Sequence, residues 1–166
     1  MRLIICTILL LATISNAHAK EWRGIVPLHS TRADVERILG TPPPERNHPD
    51  AVVYEQEHED VLVRYSTGEC IEKWNVPRNT VIFIQVFPKK RPQFSELKLD
   101  TSKYRKYPEP ELPEYSNYDN EGEGFEIQVD RNGLVELFTY YWRPEDNHLR
   151  CPETAKPNKS LNRTRS

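Results

Sequence analysis

The chain has 166 residues, with 23 Lys and Arg against 25 Asp and Glu and a formal charge of −2. That length suits one domain with a sizeable core. A mildly acidic chain without a contiguous basic stripe cannot displace counterions from phosphates along a surface, which excludes nucleic acid as a partner.

Residues 1–19 read as a cleavable export signal: Arg2, an apolar run from Leu3 to Ile14, then Ala17, His18 and Ala19. Cleavage is predicted between Ala19 and Lys20. The apolar run is about 12 residues where a spanning helix needs about 20, so no stable membrane anchor is expected after cleavage. The predicted location is periplasmic or secreted. Export also removes Cys6 and leaves Cys70 and Cys151, an even pair in an oxidising compartment, which predicts a disulfide between them. Residues 20–151 then form a single globular domain. Residues 152–166 carry Lys156, Lys159, Arg163 and Arg165 against Glu153, and read as a disordered basic tail.

The first strong local signal is Ser30-Thr31-Arg32-Ala33-Asp34-Val35-Glu36-Arg37-Ile38-Leu39-Gly40-Thr41-Pro42. Ser30 or Thr31 can cap the orphan amides of a first turn, and Asp34 suits the positive end of the helix dipole. Val35, Ile38 and Leu39 fall on one face. Gly40 and the prolines after it end the helix.

Later apolar segments are rich in β-branched and aromatic residues, which predicts strands near 52–56, 61–66, 71–75, 80–87, 124–130 and 134–142. Glu57 to Asp60 and Ser66 to Glu69 read as turns. Asp130-Arg131-Asn132-Gly133 is a hairpin turn, because Asn and Gly tolerate positive φ. In Phe125 to Asp130, apolar and polar residues alternate, so one face of that strand is buried and the other wet. Between Pro88 and Gly122 the pattern is Pro-rich and charged, with Tyr104, Tyr107, Tyr115 and Tyr118. It reads as a long extended connection pinned to the surface by its tyrosines, with an optional edge strand at Leu97 and Leu99.

Candidate chemistry is sparse, and no catalytic, cofactor-binding or metal-ligating residue is assigned. Glu57-His58-Glu59-Asp60 is the densest set of possible ligands, but it occupies a predicted turn and is read as solvated; His48-Pro49-Asp50 is weaker. His29, Ser30 and Asp34 resemble a triad only on paper, because helix capping accounts for the last two. Gly122-Glu123-Gly124 precedes a strand rather than a helix and so does not form a phosphate loop. Asn158 and Asn162 open glycosylation triplets.

The stretch from Trp22 to Gly40, together with Val63-Arg64-Tyr65-Ser66-Thr67-Gly68-Glu69-Cys70 and Leu149-Arg150-Cys151, resembles uncharacterised exported proteins of environmental bacteria. Residues 31–42 are similar to the helix motif of small envelope lipoproteins of the SmpA/OmlA type. Ser30 here replaces that motif's glycine, and Lys20 stands where those proteins bear a lipidated cysteine. The second resemblance implies helices against an antiparallel sheet and a role in barrel assembly. The fold predicted from the residues is α+β, with one or two short helices on a twisted antiparallel sheet of five or six strands. The predicted function is a non-enzymatic accessory or binding protein whose partner is an unknown protein or envelope component. The alternative is a small extracytoplasmic hydrolase acting through paired carboxylates.

Overall fold

A computed structural model describes residues 20–70 and 72–152. The predicted signal, including Ala19 of the cleavage site, and the tail beyond Pro152 lie outside the described residues.

The fold is α+β and antiparallel, with seven strands in the sheet. The strands are β1 (Ala51–Glu55), β2 (Glu59–Tyr65), β3 (Val81–Pro88), β4 (Arg105–Pro108), β5 (Tyr115–Asn120), β6 (Phe125–Asp130) and β7 (Val135–Tyr140). Their order in the sheet is β1-β2-β3-β7-β6-β5-β4. Two meanders therefore join at the centre, where β3 pairs with β7 through Ile84↔Tyr140 and Val86↔Phe138. After β3 the chain crosses to the far edge, begins again at β4 and works back.

The helix α1 (Arg32–Leu39) forms as expected, with Thr31 and Asp34 completing a capping box and Gly40 ending it at φ 87°. Its contact face is narrower than the spacing implied. Val35 is fully buried and Leu39 packs beside it, but Ile38 is 40% exposed. The helix and the lead before it cover β1 to β3, placing Trp22, Ile25 and Val35 on Val61, Val63 and Ile84. Arg32 fixes the following loop by donating to the carbonyls of His48 and Pro49, each at 2.9 Å, with its guanidinium 4.1 Å from the Tyr65 ring.

The connection after β3 covers the other half of the same face. Phe94, Leu97, Leu99 and Tyr104 pack on Phe125, Ile127 and Val129, and Phe94 stacks on Tyr118 at 4.1 Å. Leu97 belongs to a 3₁₀ turn, Phe94–Leu97, and not to an edge strand. The tyrosine-rich stretch contains two strands, β4 and β5, which raises the count above five or six. Its prolines are compatible because Pro108 ends an outermost strand, where a missing N–H breaks no ladder.

The predicted strand at 71–75 is absent among its described residues. The segment belongs to a clasp with positive φ at Cys70 (60°) and Lys73 (70°) and one isolated bridge, Trp74↔Arg150. The partner of β2 is accordingly β3, reached by a loop far longer than the turn expected at Ser66 to Glu69. Cys70 and Cys151, 81 residues apart, form the disulfide. Beside it Trp74 lies 5.1 Å from Trp142, and the Arg150 guanidinium lies 4.6 Å and 4.2 Å from those two rings. Cations on indole faces are attracted by the ring quadrupole.

Candidate functional site

Side chains alternate across a strand, so the residues opposite the core line the other face of the sheet. One row crosses all seven strands in register: Arg105, Asp119, Glu126, Thr139, Gln85, Leu62 and Val53. The helix and the long connection pack on the core face. At the β4 end, the row forms the floor of an open hollow of about 530 Å³. Phe83, Tyr107, Tyr141 and Trp142 supply its aromatic walls, and Glu121 stands at its edge.

Gly124 makes this wall possible. Its φ is +63°, and a Cβ there would lie 2.4 Å from the Tyr141 carbonyl oxygen. Any side chain would push the end of β7 away from β6. With glycine, the Tyr141 amide donates to the Gly124 carbonyl at 2.9 Å, and Tyr141 and Trp142 come to lie beside the row.

The two acids of the row are held by specific donors. Asp119, whose side chain is only 9% exposed, accepts from Arg105 at 3.0 Å and from the Tyr141 hydroxyl. Glu126 accepts from the Tyr107 hydroxyl. Burial, reinforced by the neighbouring carboxylates, pushes both phenols well above their ordinary range, so they act as neutral donors. Burial also raises the Glu126 carboxyl, with nearby Asp119 and Glu109 adding to the effect and Tyr107 opposing it. The Thr139 hydroxyl oxygen, between Glu126 and Gln85 in the row, is buried and has no hydrogen-bond partner. One row along, Asn117 donates to Glu109 at 2.8 Å and Gln128 donates to Asn117 at 3.3 Å, so the polar network continues past the hollow.

No protein-family model, curated protein or solved structure matches the chain. The site's chemistry therefore rests on its own geometry.

The residues singled out in the sequence lie elsewhere. His29, Ser30 and Asp34 are not brought together as a triad. The Nε2 of His29 bonds to Asp146 at 2.8 Å, Ser30 Oγ accepts from the Val26 amide at 2.9 Å, and Asp34 caps α1. Of the predicted turn at 57–60 only Glu57 and His58 lie outside the strands, with His58 exposed; Glu59 and Asp60 open β2, where Glu59 is bound by Arg23 at 2.5 Å and Asp60 faces Lys89 at 3.5 Å. Among the described residues no group of three His, Cys, Asp or Glu is placed to hold a metal ion. Lys20, the residue after the predicted cleavage point, sets its ammonium 3.7 Å from the Phe125 ring centroid and 3.6 Å from Glu123. No helix among the described residues is long and apolar enough to cross a membrane.

The row cannot be read from any one segment of the sequence. Alternation in β6 puts Glu126 on the wet face, but only the register sets Asp119 opposite it. Tyr107 lies in a stretch whose composition does not read as a strand.

Proposed function

We propose that this is an exported, non-enzymatic binding protein that takes a small ligand in the hollow on the open face of its sheet. The observation that carries this reading is the hollow itself: four rings around two carboxylates, each carboxylate oriented by a tyrosine donor. Concave sites lined by aromatic groups with a few fixed polar atoms are the usual form of small-molecule sites, and about 300–1,000 Å³ is their usual size. The disulfide supports export, since such bonds persist in oxidising compartments. Titration of the full chain with a ligand panel, followed by the fluorescence of Trp142, tests the reading. Saturable binding with the ligand recovered unchanged is expected. Sequencing of the processed chain from the host envelope should begin at Lys20.

One observation favours the alternative of a paired-carboxylate hydrolase. Asp119 stands directly opposite Glu126 across β5 and β6, and opposed residues place their Cβ atoms about 4.5–5.5 Å apart. Retaining glycosidases hold their two carboxyl groups at about 5–5.5 Å, one kept protonated by its surroundings. Glu126, raised by burial, would be the acid, and Asp119, bound to Arg105, the nucleophile. Turnover of aryl glycosides that is lost in Glu126→Gln would select this reading. Absence of turnover by a ligand-competent protein selects the first.

A further inference from the structure

We infer that the ligand of the hollow is a small organic cation, an ammonium or guanidinium group on a short apolar stem, bound with its head at Asp119 and Glu126 and its stem along Tyr107 and Tyr141. This rests on the binding-protein reading and names the chemical class that the site accepts.

Three features of the site lead to that class. The first is charge. The hollow sets Asp119, Glu121 and Glu126 against the single guanidinium of Arg105. An anionic ligand would meet three carboxylates, and a neutral one would leave their excess charge unanswered. The second is the wall. The π face of a ring is electron-rich and attracts cations, by about 0.5–1 kcal/mol at exposed sites and more when desolvated. Tyr107, Tyr141, Phe83 and Trp142 provide such rings together with the apolar surface on which a methylene stem packs.

The third feature is a cation already present in the molecule. The Arg105 guanidinium bonds Asp119 at 3.0 Å while lying 5.3 Å from the centroid of the Tyr107 ring. It thus makes the two contacts proposed for the ligand head. Its side chain is 73% exposed and projects from a four-residue strand at the edge of the sheet. Asp119 is the buried half of this pair and Arg105 the solvent-facing half, so a cation that reaches the same carboxylate can take the place of Arg105 or share it. Acceptor capacity also remains, because an ionised carboxylate offers about four lone-pair positions. Asp119 receives Arg105 and Tyr141, and Glu126 receives Tyr107. An inorganic ion fits less well: a cavity of about 530 Å³ exceeds its size, and the described residues hold no metal-binding cluster.

Glu126 adds a signature of its own. Its carboxyl is raised by burial and by the nearby Asp119 and Glu109. A cation bound beside it lowers that value again, so binding expels a proton and strengthens with rising pH as Glu126 ionises.

The test uses the full chain with its disulfide intact and agmatine as probe, a molecule with a guanidinium at one end and an ammonium at the other. Succinate and cellobiose serve as anionic and neutral comparators, and binding is read by tryptophan fluorescence and amide NMR shifts. Agmatine alone is expected to saturate, with affinity falling as salt is raised. Asp119→Asn and Glu126→Gln should each weaken it by about tenfold or more, the scale of a lost charge-assisted hydrogen bond. Asp100→Asn, at the cap of the 3₁₀ turn Thr101–Lys103 and not among the residues lining the hollow, should leave it unchanged, and Glu126→Gln should flatten the pH profile. Arg105→Gln removes the exposed guanidinium that competes for Asp119, leaving the Tyr141 donor in place, and should tighten agmatine by about two- to fivefold. Weaker agmatine binding in Arg105→Gln overturns the inference even if the carboxylate variants fold poorly. Saturation by cellobiose or succinate with none by agmatine overturns the cationic class and leaves the binding reading standing. Binding of none of the three overturns both.

Discussion

The two faces of the sheet are built from the same seven strands and differ in almost everything else. On the covered face Val61, Val63, Ile84 and Ile127 are fully buried, with α1 over one half and the connection after β3 over the other. On the open face the neighbouring positions are Asp60, Leu62, Gln85 and Glu126, and a charged row runs between aromatic walls. Helix α1, the lead before it and the connection after β3 cover one face of so wide a sheet. The other must tolerate water, and its polar residues are free to be arranged for purposes other than cohesion. Stability should therefore be concentrated on the first face and recognition on the second.

The largest effect is expected where the faces meet, at the clasp. Trp142 packs against Trp74 in the clasp and also walls the hollow. Replacing both Cys70 and Cys151 by serine should lower stability by about 4 to 5 kcal/mol in the chain-entropy picture of a long closed loop, measured by urea denaturation. A loss under about 1 kcal/mol would mean that the bridge Trp74↔Arg150 and the tilted Trp74–Trp142 ring contact hold the clasp alone.

Next comes a direct contrast between adjacent residues of β6. Ile127→Ala removes a fully buried side chain between the connection and the sheet and should cost about 2–5 kcal/mol. Glu126→Gln, one residue away on the open face, keeps an acceptor for Tyr107 and should change stability by under about 1 kcal/mol at neutral pH. Equal costs at the two positions would refute the division of labour between the faces.

The smallest effect is a dependence on pH, and its sign separates Glu126 from the other perturbed acids. Glu126 is raised in the folded protein, so in the range above its unfolded value, about 4.3, the folded state binds more protons than the unfolded chain. Its contribution to stability must fall as pH rises through that range. Asp34 and Asp130 are lowered, chiefly by backbone hydrogen bonds from Thr31 and Leu134. Their stabilisation is present above the ordinary carboxylate range and is lost as pH falls through their depressed values. Thermal melts of Glu126→Gln and the parent should therefore converge toward pH 4 and separate above it, with the variant the more stable. Convergence in the opposite direction would mean that the ionised form of Glu126 is favoured by folding.

What was legible in the sequence followed from how local each signal is. Thr31, Asp34 and Gly40 specify α1 within a dozen residues, and the alternation of β6 with the Asp130 to Gly133 turn specifies the last hairpin. The pairing of Cys70 with Cys151 follows from parity once Cys6 is assigned to the signal. Residues 71–75 misled because Ile71 and Trp74 have strand-like composition, yet Trp74 is buried with Val76 by Leu28, Trp142 and Leu149 in a small cluster of its own. β4 and β5 were illegible for the converse reason. Pro108 and the charges of β4 and the Asn and Asp residues of β5 are poor strand formers, and it is pairing of β5 with β6, and of β4 with β5, that makes them strands.

By itself the sequence determined part of the covered face: which residues of β6 turn inward, where the helix begins and ends, and which cysteines join. Those features depend on period, capping and parity, which are properties of neighbours along the chain. Only the tertiary structure decided the open face. The meeting of Arg105, Asp119, Glu126 and Tyr141 depends on the register of four strands and on the close approach permitted at Gly124, and register is a relation between segments that no single segment encodes.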